Sequence, residues 1–64
     1  MKAVLDSRMT DRATGFEHRV YRVTKDGETE LFVEAVMHDP SNNLETDADA
    51  DEFVRKSANA YWSS

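Results

Sequence analysis

Cysteine is absent from this chain of 64 residues. Its absence excludes a disulfide framework and zinc sites built from thiolates, so the core must come from packing alone. A chain of this length buries only about 60% of the surface that its unfolded form exposes. No apolar run approaches the ~18 residues of a membrane span, and Asp6 ends the first run far short of a signal-peptide hydrophobic region. We therefore expect one domain over residues 1–64, with no membrane association and a cytoplasmic location.

Basic residues are missing from one long stretch. Residues 26–54 carry a charge of −10 with no Lys or Arg, whereas residues 1–25 carry +3 and the net charge is −5. This balance opposes direct nucleic-acid binding, because the phosphate backbone attracts Lys and Arg. The exception would be a basic patch acting alone, formed by Arg8, Arg12, Arg19, Arg22 and Lys25.

The dipeptide Asp26-Gly27 lies between two runs rich in β-branched and aromatic residues, 20–24 and 31–37. Glycine tolerates the positive φ of a tight turn, so this pattern predicts a β-hairpin. The face expected to enter the core is Leu31, Val33, Ala35 and Met37.

Two registers of this hairpin remain open. A two-residue loop places Arg19 opposite Glu34, and a three-residue loop with a glycine bulge places Arg22 opposite Glu30 and His18 opposite Glu34. In either register a strand carboxylate meets a cation.

A weaker alternation, with Ala3, Leu5 and Met9 on one side, predicts a strand before the hairpin. Pro40 and the neighbouring asparagines indicate a loop after it. The fold expected is α+β: a three-stranded antiparallel meander (about 2–9, 16–24 and 29–38) followed by one C-terminal helix (about 48–62) packed on one face.

The helix start has two possible capping boxes, Thr46 with Asp49 or Asp49 with Glu52. Its 3.6-residue period predicts a buried arc that should pack on the sheet. The members of that arc are Ala50, Phe53, Val54, Ser57 and Tyr61.

Asp47, Asp49 and Asp51 have the spacing that opens an EF-hand calcium loop. The sixth and twelfth positions of such a loop need glycine and an acid, but Glu52 and Ala58 occupy them. We therefore expect no metal and no cofactor.

Two histidines, His18 and His38, and several serines could in principle take part in catalysis. No arrangement of nucleophile, base and orienting group accompanies them. We therefore expect no catalytic residue, and the chain is not expected to be an enzyme.

The acids near the helix start are partly explained by local structure. Carboxylates in a first turn complement the helix dipole, and Asp51 with Arg55 and Glu52 with Lys56 have the spacing of (i, i+4) pairs.

Exposed aromatics on an uncovered sheet face are a second kind of contact residue. The partner-binding residues hypothesised are Asp39, Glu45, Asp47, Asp49, Asp51, Glu52, Phe32 and Trp62.

Two segments, VYRVTKDGETELFVEAV and TDADADEFVRKSANAYW, together with small size and acidity, resemble phage-encoded anti-CRISPR proteins of type I, those against type I-C systems above all. The resemblance implies a stoichiometric inhibitor that binds a basic DNA-recognition surface of a CRISPR-Cas surveillance complex or effector protein through an acidic, DNA-mimicking face. The alternative is a small non-enzymatic adaptor that dimerises through an exposed sheet face. The chain is accordingly expected to be a monomer or weak homodimer.

Overall fold

Three strands followed by one helix make up the fold in a computed structural model that describes all 64 residues. The strands are β1 (Lys2–Thr10), β2 (Glu17–Thr24) and β3 (Leu31–Met37), and the helix is α1 (Asp47–Ser63). The sheet order is β1-β2-β3 and both pairings are antiparallel. The predicted α+β meander with a C-terminal helix is confirmed.

The register of the β2–β3 hairpin differs from both predictions. Val23 pairs with Leu31 and Arg19 pairs with Ala35, so Arg19 does not face Glu34. The turn forms where expected, with Gly27 at a φ of 80°. Residues 29 and 30 nevertheless stay outside the strands. The carbonyl of Thr29 accepts a hydrogen bond from Trp62 of the helix rather than from a neighbouring strand.

The other predicted cross-strand pairs are also wrong. Arg22 lies opposite Phe32 rather than Glu30, and His18 lies opposite Val36 rather than Glu34. A contact between His18 and Glu34 does form, but on the diagonal: His18 Nδ1 lies 3.5 Å from Glu34 Oε2.

A β-bulge interrupts β1 between Leu5 and Ser7. Ala3 and Leu5 share the helix-covered face with their partners on β2, but beyond the bulge Arg8 takes that face. A bulge adds one residue and therefore reverses which side later side chains occupy. Met9 consequently lies on the uncovered face, opposite to its predicted side.

The core lies between α1 and the β2–β3 half of the sheet. The predicted core face of β3 is confirmed, since Ala35 and Met37 are buried and Leu31 and Val33 pack against the core. The buried hydrophobic residues are Tyr21, Val23, Ala35, Met37, Leu44, Ala50, Val54 and Ala58.

The buried side of α1 is rotated relative to the predicted arc. Ala50 and Val54 are buried as expected, but Ala58 completes the stripe. Phe53 and Tyr61 are exposed. Two alanines in this (i, i+4) row let the helix approach the sheet closely, so the large rings lie at its flanks.

Candidate partner-binding surface

The start of α1 is closed by a reciprocal capping box between Thr46 and Asp49. Asp49 Oδ2 accepts the backbone N–H groups of Glu45 and Thr46, both at 3.0 Å, and the Asp49 N–H donates to Thr46 Oγ1 at 3.1 Å. The bond from the Glu45 N–H, followed by those from Thr46, lowers the pKa of Asp49. Asp49 therefore stabilises the start of the helix in addition to placing a carboxylate on the surface.

Asp47 is joined to the sheet by a nearly buried arginine. Arg19, whose side chain is 10% exposed, donates from Nη1 to Asp47 Oδ1 at 2.8 Å, although Asp47 itself is 91% exposed. The guanidinium also contacts the Tyr21 hydroxyl and the Glu17 carboxylate. These bonds, Tyr21 first, then Asp47 and Glu17, raise the pKa of Arg19 above its ordinary value.

This role of Arg19 was missed from the sequence, which placed it in a candidate basic patch. The signal was present in the alternation of β2, where Arg19 shares a face with the buried Tyr21 and Val23. A cation on a core-facing position needs a carboxylate partner. Arg19 is therefore nearly buried and does not contribute to a basic patch on the surface.

The loop before α1 fixes two more predicted acids. Glu45 Oε2 lies 3.0 Å from His38 Nδ1. Asp39 Oδ1 accepts the N–H and the hydroxyl of Ser41, at 2.9 and 2.8 Å. Beneath them Leu44 is buried, and its carbonyl accepts the His38 N–H. The loop thus holds both carboxylates in defined positions.

Both predicted helical ion pairs are present. Arg55 Nε donates to Asp51 Oδ2 at 2.8 Å, and Lys56 Nζ lies 3.3 Å from Glu52 Oε1. These cations partly offset the charge of the second helical turn.

The six carboxylates share one feature, namely that a single oxygen is bound within the chain while the second makes no hydrogen bond. The internal bond orients each group and the second oxygen stays available to a partner. We call this set the acidic surface: Asp39, Glu45, Asp47, Asp49, Asp51 and Glu52.

The two predicted aromatic contact residues lie elsewhere. Phe32 is 61% exposed on the sheet face opposite the helix. Trp62 is half-buried near the end of α1, where its Nε1 donates to the Thr29 carbonyl at 2.9 Å and the Lys25 ammonium lies 5.9 Å from its ring centroid. The six acids thus lie in the loop after β3 and in the first two turns of α1, whereas Phe32 lies on the uncovered sheet face and Trp62 near the other end of the helix.

No helix in this fold has the length and apolar character needed to cross a membrane. Comparisons with protein-family models, with curated proteins and with solved structures found no significant match.

Proposed function

We propose that this chain is a stoichiometric, non-enzymatic inhibitor of a bacterial CRISPR-Cas complex. It binds a basic DNA-recognition surface of the surveillance complex or effector protein through the acidic surface, in the bacterial cytoplasm. The resemblance to small acidic anti-CRISPR proteins supports the class of target. The geometry of the carboxylates supports the mode of binding.

The observation that carries the proposal is that exposed carboxylates are already oriented by internal bonds. Asp47 is held by Arg19 and Glu45 by His38, and both stay exposed. A groove that binds DNA recognises an array of fixed negative charges and releases counterions when it does so. Side chains that are oriented in advance lose less conformational entropy on binding.

Internal cations decide which part of the acidic surface binds most strongly. Asp51 and Glu52 each face a helical cation, whereas Asp39 is bound only by the neutral groups of Ser41. Glu45 faces a histidine, which is a charge only when protonated. The contact is therefore centred on the loop, at Asp39 and Glu45, whereas Asp47 is offset by Arg19 in the same way that Asp51 and Glu52 are offset.

The test uses a purified type I-C surveillance complex and a labelled target duplex in a gel-shift assay. The expected result is loss of DNA binding at a molar ratio near one inhibitor per complex. A catalytic inactivator would act at a small fraction of that ratio and with time dependence. Undiminished DNA binding at a large molar excess would contradict inhibition of this complex.

The decisive variant is Asp39→Lys with Glu45→Lys, since neither carboxylate is paired with a Lys or Arg within the chain. Asp49 is left unchanged because it caps the helix, and Asp47 because a lysine there would face Arg19. The matched control is Glu28→Lys with Glu30→Lys, since both glutamates are exposed at the hairpin and form no internal side-chain bond. Both variants make the same charge change.

We expect the first variant to weaken inhibition by about tenfold or more, equivalent to ~1.4 kcal/mol, and the control by much less. Equal weakening in both would show that only total charge matters. No weakening in the first, with its fold verified by circular dichroism, would exclude the acidic surface as the interface.

A further inference from the structure

The sheet face opposite α1 has no other element of the chain packed on it, because α1 is the one helix and it covers the other side. Phe32 is 61% and Met9 71% exposed on this uncovered face. Three valines there are only partly buried. The residues of the uncovered face are Lys2, Val4, Ser7, Met9, His18, Val20, Arg22, Thr24, Phe32, Glu34 and Val36.

Two charged residues, Arg22 and Glu34, lie in the central rows of this face, and Lys2 lies at one end of it, opposite Thr24. Arg22 lies in one cross-strand row between Val4 and Phe32, and it forms no ion pair or side-chain hydrogen bond within the chain. Glu34 lies in the next row, opposite Val20. Its Oε2 lies 3.5 Å from Nδ1 of His18, which belongs to the row beyond. An unpaired arginine beside an exposed ring is typical of an interface.

The arrangement of these rows is complementary to itself. Consider a two-fold axis that lies parallel to the sheet and perpendicular to its strands, midway between the row of Arg22 and the row of Glu34. This axis places a second copy face to face with the first, so that the Glu34 row of one copy lies over the Arg22 row of the other. Each arginine then lies over the row that contains Glu34 of the other copy, and Phe32 is removed from water. Isologous contacts of this kind are the commonest in homo-oligomers.

We infer that the chain self-associates through the uncovered face, as a weak two-fold dimer in which Arg22 pairs with Glu34 of the second copy. Three strands about 4.8 Å apart and seven residues rising about 3.3 Å each give a face of roughly 14 by 23 Å, about 300 Å² in projection. Stable interfaces bury about 800 Å² per partner. The dissociation constant should therefore lie between about 1 μM and 1 mM.

This inference does not depend on the proposed inhibition. The helix of the acidic surface lies in the other layer, so a dimer formed through the uncovered face keeps Glu52 and its neighbours on the outside. A failure to dimerise would leave the inhibitor assay unaffected, and the reverse also holds.

The test is sedimentation equilibrium from about 1 μM to 1 mM, a range that spans the expected dissociation constants. We expect Arg22→Glu and Glu34→Arg each to weaken dimerisation by about tenfold, and the two together to restore it to within about threefold. Phe32→Ala should weaken it by about tenfold.

Matched controls are available for both kinds of change. Arg12→Glu alters the charge equally in the exposed β1–β2 turn, and Phe53→Ala removes an exposed ring from the helix flank. Neither should change the dissociation constant. A wild-type chain that stays monomeric at the highest concentration would overturn the inference. So would a dimer that Arg22→Glu leaves intact, or one that the double exchange fails to restore.

Discussion

Replacing Arg19 by methionine tests whether the polar contacts between the sheet and the helix start stabilise the fold. The Arg19 guanidinium contacts Glu17, the Tyr21 hydroxyl and Asp47, and the side chain is nearly buried. Methionine fills much of the same space without a charge. A change in stability therefore reports the lost hydrogen bonds rather than a cavity.

The magnitude follows from the exposure of each partner. A buried hydrogen bond to a charged group contributes about 1.5 to 3 kcal/mol. The bond to Asp47, which is 91% exposed, contributes only what a surface pair does, about 0 to 1 kcal/mol. Glu17 is 18% exposed and keeps Arg8 at 3.8 Å, so it is not left without a cation. We expect a net loss of about 2 kcal/mol.

The measurement is urea unfolding followed by circular dichroism at neutral pH. With a slope of about 1 kcal/mol per molar for so small a chain, the midpoint should fall by about 2 M. The control is Arg12→Met in the exposed β1–β2 turn, where the arginine has no internal partner and the change should stay within about 0.5 kcal/mol. Equal midpoints for the two variants would refute the assigned role of Arg19. So would a stabilised Arg19→Met variant, which would mean that burying the charge costs more than its bonds return.

Three further predictions concern the helix start and the hairpin turn. Thr46→Ala should cost about 1 kcal/mol in urea unfolding because the capping box is lost, whereas Thr29→Ala, whose hydroxyl forms no hydrogen bond, should not. Since the pKa of Asp49 is lowered in the folded state, its contribution is present above the usual aspartate pKa and is lost as the pH falls through the lowered value. Asp49→Asn should thus flatten the acid limb of stability against pH. Gly27→Ala should cost about 1 kcal/mol, because the residue has a φ of 80°, and Gly27→Asn should cost less by the same measurement.

Features set by near neighbours in sequence were predictable. The Asp26-Gly27 turn and the Thr46–Asp49 capping box depend on residues within four positions of each other, and both form. The order of the hairpin strands and the helix along the chain follows from this turn and this cap. The hairpin register was not predictable in this way: the connection is longer than expected, and its Thr29 carbonyl accepts a hydrogen bond from Trp62, 33 positions away. No local pattern contains that information.

The same distinction applies to the acidic surface. The Asp51–Arg55 pair was predictable because helical geometry brings residues four apart together. Asp47 has no basic neighbour in sequence, yet in the fold it meets Arg19, 28 positions away. The position of Asp47 beside Arg19, near the start of β2, depends on the path of the loop between β3 and α1 and on how α1 packs on the sheet. Sequence alone therefore located the acids but not the bonds that orient them.

The fold separates the acids into two groups that the sequence does not distinguish. The acidic surface is oriented by internal bonds, whereas Asp26, Glu28 and Glu30 at the hairpin form none. Ordering a free side chain in an interface costs about 0.5 to 1.5 kcal/mol, and a side chain that is already held avoids much of this cost. If the density of negative charge alone guided binding, the hairpin acids would serve a basic groove equally well. The proposed binding mode therefore predicts a preference for the loop and helix start, because the bonds to Arg19, His38 and the backbone orient the carboxylates there.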